Sequence, residues 1–249
     1  MRYKQSITPE EIDRMKPGAF PGKVVVIDKP GIEYLKAVLY LKSQKVIGFD
    51  TETRPIFTPG ARHHGVSLLQ LSGPDKAFLF RVQKVGLGKL LRKVLSDPHI
   101  LKVGAATHDD VRGLQKIAPF TGQGFVDLQK IVQEWGIADK SVRKMAAIIL
   151  RVRISKTQQL SNWEAPVLSD AQKRYASTDA WICREMYMRL INEQRHPLGR
   201  TPAARPQPAA ETAQHPAETP AEGAPSRRRR RRRHHSKNHS SYGNVEGNS

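Results

Sequence analysis

The run Val46-Ile47-Gly48-Phe49 followed by Asp50-Thr51-Glu52 constrains this chain more than any other feature. Four consecutive apolar residues bounded by polar ones read as a buried strand, and on a strand residues i and i+2 point to one face. Asp50 and Glu52 are therefore expected to leave the end of a sheet strand on the same side. Far along the chain, Tyr175 and Asp179 stand four apart in a segment, 169–190, whose apolar spacing reads as a helix, so they share a face one turn from each other. Neither short motif is rare in a chain with 23 acidic residues; their setting carries the argument. Two carboxylates from a strand and another from a distant helix are a way for hard cations to acquire oxygen ligands. Buried carboxylates also repel each other, so such a cluster needs either protons or metal.

The charge balance points to a polyanionic partner. Net charge is +19 over 249 residues, and residues after His196 hold ten Arg and Lys against four Glu, so +13 belongs to residues 1–196. A surface this basic favours nucleic acid through phosphate contacts and counterion release. No apolar run approaches the ~18 residues needed to cross a bilayer. The first eleven residues mix Arg2, Lys4, Glu10 and Glu11 with no apolar core of a secretion signal, so a cytoplasmic location is expected, with nucleoid association open, or a nuclear one in a eukaryotic host. The single cysteine, Cys183, has no partner for an internal disulfide and falls on the apolar side of its helix. It reads as a small buried hydrophobe rather than a catalytic thiol.

Three regions are expected: a lead-in over 1–22, broken by Pro17, Gly18, Pro21 and Gly22; a folded domain over 23–196; and a tail over 197–249. Within the domain, apolar patterning predicts strands at 23–28, 46–52, 67–71, 77–82 and 100–105, and helices at 32–43, 87–96 and 109–117. Ser72-Gly73-Pro74-Asp75 is a turn sequence between two of the strands. Residues 127–192 read as mostly helical, interrupted near 162–166. A mixed sheet flanked by helices is the natural packing for this order.

Beyond His196, Pro, Ala, Glu and Thr dominate up to Pro225, and Arg227, Arg228, Arg229, Arg230, Arg231, Arg232 and Arg233 follow in succession. Such a segment buries too little apolar surface to offset its ordering entropy and is expected to be disordered. Its arginines suit a nonspecific nucleic-acid tether, a contact with an acidic protein, or a targeting signal. Arg62, His63 and His64, in a loop between two strands, are candidate phosphate contacts, with a solvated polar loop as the plainer alternative.

With these elements placed, the chain resembles the DEDD superfamily of 3′–5′ exonucleases, tyrosine subclass, and within it the compact domains of the ribonuclease D and Werner-syndrome-helicase type. The resemblance covers about 23–192. Its first motif is matched by Val46-Ile47-Gly48-Phe49-Asp50-Thr51-Glu52-Thr53, its second by the stretch from Lys102-Val103-Gly104 through His108-Asp109-Asp110 to Leu114, and its third by Gln172-Lys173-Arg174-Tyr175-Ala176-Ser177-Thr178-Asp179-Ala180. Leu160-Ser161-Asn162-Trp163 with Pro166-Val167-Leu168 is similar to the segment ahead of the third motif, with Asn162 where an acidic residue is common; Trp163 reads as core packing.

The resemblance implies an α/β, ribonuclease H-like fold, a mixed five-stranded sheet between helices with an acidic site at one sheet edge. It implies two divalent cations, Mg²⁺ or Mn²⁺, since carboxylate and water oxygens suit hard ions. Asp50 would bridge both ions, Glu52 and Asp179 would hold the nucleophile-side ion, and Asp110, six residues after Gly104, the leaving-group side, with Asp109 as the fallback. Tyr175, whose ordinary pKa of ~10 makes it a poor base at neutral pH, would orient the attacking water. The implied activity is 3′–5′ hydrolysis of DNA or RNA to 5′-mononucleotides, the nucleic acid being open between the two. The competing reading is a catalytically inactive nucleic-acid-binding module with the same fold; that all five positions are filled stands against it.

Overall fold

The computed structural model describes residues 2–55 and 65–199 of the chain. In chain order the elements are α1 (Pro9–Asp13), β1 (Lys23–Ile27), α2 (Ile32–Lys42), β2 (Val46–Thr53), β3 (Val66–Ser72), β4 (Lys76–Phe80), α3 (Val82–Val85), α4 (Lys89–Leu95), β5 (Leu101–Gly104), α5 (Thr107–Gln115), β6 (Phe125–Asp127), α6 (Leu128–Ile131), a 3₁₀ turn (Val132–Trp135), α7 (Val142–Leu150) and α8 (Asp170–Ile191). The strands form one mixed sheet in the order β1-β4-β3-β2-β5-β6. β2, β3 and β4 are antiparallel neighbours, whereas β1 joins β4, and β5 and β6 follow β2, in parallel.

The alternation of side chains along the strands sorts the core into two layers. Ile47, Phe49, Leu69, Leu71, Phe78 and Phe80 face one side, where they pack with Tyr34, Ala37, Val38 and Leu41 of α2, Leu91, Val94 and Leu95 of α4, and Leu114 of α5. Leu68 and Leu79 face the other side, with Trp163, Leu168 and Ala176 against them. Val103 shares that side with α7 and the far half of α8, through Met145, Ile148, Ile149, Ile182 and Met186. Each fully buried side chain of this kind contributes about 1.5–3 kcal/mol relative to exposure. Residues ahead of β1 join the second layer: Tyr3, Ile7 and Ile12 are buried there, and Thr8 closes a capping box with Glu11 at the start of α1.

Three predicted elements differ from what is seen. The mixed sheet between helices is as expected, with a sixth strand beyond the five placed from apolar runs: Phe125–Asp127 has three residues, too short for an alternating pattern, and is held by pairing with β5. The predicted strand at 77–82 stops at Phe80, and Val82 opens α3. The helical stretch at 127–192 starts on the last residue of β6 and is broken twice, between Trp135 and Val142 and over the whole interval between Leu150 and Asp170, rather than near 162–166 alone. α7 ends where Arg151 takes up left-handed backbone, φ 59°, and Arg153 then pairs with Pro17, a long-range contact that local spacing does not encode.

α8 is the element that builds the site. A capping box between Ser169 and Gln172 starts it, worth roughly 0.5–2 kcal/mol against alanine at the cap. The Gln172 amide also reaches Ser161 Oγ and the Asn162 carbonyl, 3.0 Å each, tying the helix to the preceding loop. Over β2 the helix comes down onto bare backbone: a methyl group on Gly48 would lie 1.8 Å from the Ala180 carbonyl oxygen. Only glycine permits that approach. Gly48→Ala is expected to lift α8 from the sheet and destabilise the fold by about 1–3 kcal/mol, the usual range for overpacking; thermal denaturation of the variant against the parent chain measures it.

Candidate metal and catalytic site

Gly48, Asp50 and Glu52 occupy alternate positions on the face of β2 that α8 covers. The close approach at Gly48 sets Asp179, one residue before Ala180, over the strand. One carboxylate oxygen each from Asp50, Glu52 and Asp179 then falls within 4.8 Å of the others. All three are half-buried. Tyr175, one turn earlier on α8, turns its hydroxyl to Asp179 and lays its ring against Trp163, with centroids 6.0 Å apart. Trp163 itself is fully buried, and its indole N–H faces Glu52 from just outside hydrogen-bond geometry.

Asp110 reaches the same strand end from the opposite layer. It sits on α5, where a left-handed Ala106, φ 57°, turns the chain out of β5 and into the helix. It stands outside the trio and accepts a hydrogen bond from Thr51 Oγ1, 2.6 Å. The alternation that sends Asp50 and Glu52 to one side thus sends Thr51 to the other, where it holds Asp110 by one oxygen. Asp109 points away, with its side chain 89% exposed beside His108. Asp127 caps α6 and accepts from the Ala106 and Gln129 amides, bracing the turn that carries Asp110.

The electrostatics follow from crowding. Burial, then the charges of Asp179, Glu52 and Asp110, push the Asp50 carboxyl far above the ordinary carboxylate range. Burial, then Asp179 and Asp110, raise Glu52 to about 8, with the Trp163 indole acting against the rise. Asp179 is raised to about 7 by burial, opposed by the Tyr175 hydroxyl and the Lys156 ammonium. Asp110 is raised to about 6 by burial, opposed by Thr51. Tyr175, desolvated and surrounded by carboxylates, is driven up from 10 and holds its proton at any ordinary pH. A donor set of oxygens that resist ionising together fits a hard divalent cation, which restores their charge.

A cleft of about 320 Å³ opens over these groups. Asp50, Glu52, Tyr175 and Asp179 form one wall; Ser141 to Arg143 at the start of α7, with Ser155, Lys156 and Gln159, form the other. Buried Cys183 lies at its base, two turns beyond Tyr175 on α8. No sequence pattern marks Lys156 or gives Thr51 a role of its own. Lys156 lies in a stretch without regular spacing in a chain of 42 Lys and Arg, and Thr51 acts only because α5 delivers Asp110 to it. Arg62, His63, His64 and the seven arginines from Arg227 to Arg233 lie outside the described residues.

Residues 29–194 match a family profile described as 3′–5′ exonuclease. Among curated proteins, the human exonuclease mut-7 homolog is 28% identical over 181 residues, covering 61% of this chain and 20% of that protein. The mouse bifunctional 3′–5′ exonuclease/ATP-dependent helicase WRN is 27% identical over 185 residues, covering 70% of this chain and 13% of that protein. The chain thus spans a fifth or less of the length of these two relatives. Among solved structures, Escherichia coli RNase D, an exoribonuclease involved in structured RNA processing, superposes with a TM-score of 0.60 at 20% identity over 68% of this chain and 44% of that one, a likeness of fold.

The raised carboxyls tie the stability of the fold to pH and to metal. Without a bound cation the folded protein keeps protons that the unfolded chain releases, so stability falls as pH rises from the ordinary glutamate value of 4.5 toward the Glu52 value of about 8. In chelator, the melting temperature is expected to drop between pH 5 and pH 8. Millimolar Mg²⁺ should raise it, and by more at pH 8, where fewer protons compete. A melting temperature indifferent to Mg²⁺ at pH 8 would count against a cation site.

Proposed function

Because the chain belongs to the 3′–5′ exonuclease family, we propose that it is a divalent-metal-dependent exonuclease that hydrolyses DNA or RNA from the 3′ end and releases 5′-mononucleotides. The observation that carries this reading is the convergence of one carboxylate oxygen each from Asp50, Glu52 and Asp179 within 4.8 Å, beside the Tyr175 hydroxyl. The net charge of +19 supports a nucleic-acid partner.

Asp50, Glu52, Asp179 and Asp110 would hold the cations, Mg²⁺ or Mn²⁺, by oxygen donors alone. Bound there, two such ions supply the acidity that activates water and the charge that stabilises a leaving oxygen. The chain's own residues do the rest. Thr51 occupies one Asp110 oxygen and leaves the other for a ligand. Tyr175 retains its proton, so its hydroxyl orients a water by hydrogen bonding and does not remove a proton from it. Lys156, whose charge is felt at Asp179, faces the place where a phosphate would enter. The buried Trp163 packs against Tyr175 and restricts where its hydroxyl can go. The arginine run 227–233 serves as a nonspecific tether for the same polyanion.

The deciding experiment compares matched single-stranded RNA, single-stranded DNA and recessed duplexes, labelled at the 3′ or the 5′ end, in Mg²⁺, Mn²⁺ or chelator. Metal-dependent shortening from the 3′ end is expected; binding without hydrolysis in any metal would favour an inactive nucleic-acid-binding module. Tyr175→Phe should slow turnover by roughly 10²-fold, the cost of losing one hydrogen bond that positions a reacting group, while calorimetry shows metal affinity little changed. Asp50→Ala should remove both metal binding and hydrolysis. Deleting residues 227–233 is expected to weaken oligonucleotide binding and flatten its dependence on salt, with turnover at saturating substrate preserved.

A further inference from the structure

A second cavity, about 230 Å³, adjoins the carboxylate cleft and shares Ser155, Tyr175 and Asp179 with it. We propose that it seats the nucleotide next to the scissile bond, with Arg174 gripping that nucleotide's phosphate; the inference rests on the nuclease reading above. One wall is a single face of α8, since Ala171, Arg174, Tyr175 and Thr178 recur at helical spacing. The facing wall comes from Gly18 and Ala19, far away in sequence.

That facing wall is built in. The Gly18 amide donates to the Arg153 carbonyl at 2.8 Å, and the Phe20 amide donates to Thr178 Oγ1 at 3.0 Å. Thr178 Oγ1 in turn donates to the Arg174 carbonyl, 2.6 Å, so strap and helix are bonded together at the cavity floor. The Phe20 ring lies 6.0 Å from that of Trp181, and Ile7 and Ile12 anchor the strap upstream in the core. The cavity is therefore a fixed slot between two secured segments.

Its chemistry suits one unit of a nucleic-acid strand. Gly18, Ala19 and Ala171 carry almost no side chain, leaving flat space for a sugar or base. The Ser155 and Thr157 hydroxyls, 2.9 Å apart, offer hydrogen bonds at the rim. Arg174 is exposed, and among the described residues its guanidinium enters no ion pair, although it neighbours Tyr175 and the carboxylate cluster. Guanidinium is the group whose fork of donors matches phosphate oxygens. Successive units of a strand present a phosphate each. A strand whose terminal phosphodiester lies against Asp50 and Asp179 must place the next unit beside that cleft, and this slot opens across the shared Tyr175 wall.

The test uses the full chain with Arg174→Ala, Arg174→Lys and Ala19→Leu, the last filling the slot. In an Asp50→Asn background, or in chelator with the parent chain should that background fail to fold, anisotropy of a 5′-fluorescein oligonucleotide reads binding. Arg174→Ala should weaken it about tenfold and lower the slope of log affinity against log salt by about one, as expected for one lost phosphate contact. Arg174→Lys should restore the slope, and Ala19→Leu should weaken binding with the slope kept. With Asp50 intact, Arg174→Ala should raise KM for a ten-nucleotide strand at least fivefold more than KM for thymidine 5′-(p-nitrophenyl phosphate), which has no second nucleotide. Parent-like binding and slope in Arg174→Ala, or an equal KM change on both substrates, overturns the proposal. So does relief of inhibition by added nucleoside 5′-monophosphate without a strand-specific change, which would assign the slot to released product. Should the parent chain hydrolyse neither substrate, the nuclease reading fails by itself, and the binding measurements still decide the slot.

Discussion

Where α8 crosses β2, backbone lies on backbone, and everything at the site depends on that approach. Gly48 leaves no side chain between the strand and the Ala180 carbonyl. With the helix that close, the Asp179 carboxylate comes down among those of Asp50 and Glu52 rather than a side chain's thickness above them. Tyr175 and Cys183, one turn to either side of Asp179, inherit their positions from the same contact. A glycine in the interior of a strand weakens it, because it packs nothing and gains freedom on unfolding; here it is the residue that admits the helix backbone.

The site works against the fold that carries it. Three carboxylates within 4.8 Å, held in a place that water only partly reaches, raise one another's pKa and disfavour the ionised state that a cation requires. The surroundings resist relaxation. The buried Arg81 guanidinium donates to the Pro166 carbonyl, 2.7 Å, and to that of Ala165, while Lys84 donates to Pro166 as well, 3.0 Å. Those bonds fix the loop that carries Trp163, and Trp163 fixes the space between Glu52 and Tyr175. On the other layer, Asp127 and Thr51 hold the α5 turn and Asp110. The groups that would meet metal are thus positioned by hydrogen bonds to loops whose own partners lie a layer away, a supporting arrangement typical of sites that must keep their geometry.

Much of the fold was legible because it is written in local periodicity. The five strands expected from apolar runs are present, though 77–82 ends early, and the helix bearing Tyr175 and Asp179 runs close to its predicted limits. Two parts of the fold are ones that periodicity cannot encode: Phe125–Asp127 is shorter than one cycle of alternation plus its flanks, and the irregular stretch after Leu150 pairs at Arg153 with distant Pro17. The same limit governs the site. Asp50 with Glu52, and Tyr175 with Asp179, are pairs defined by i+2 and i+4, whereas Thr51 and Lys156 take part through neighbours that lie 59 and 23 residues away, at Asp110 and Asp179.

By itself the sequence determined which carboxylates share a strand face, which acid and tyrosine share a helix face, the excess of basic charge and the alternation of apolar runs that makes a layered sheet. All of these are properties of neighbouring residues and survive without knowledge of the rest of the chain. Only the tertiary structure decided that the two faces meet, that Asp110 arrives from the opposite layer and Asp109 does not, and that residues 18 and 19 wall a slot against α8. Those are distances between segments far apart in sequence, and they follow from how closely helices can pack on the sheet, which is set by the one glycine on β2 and by buried hydrogen bonds rather than by any local pattern.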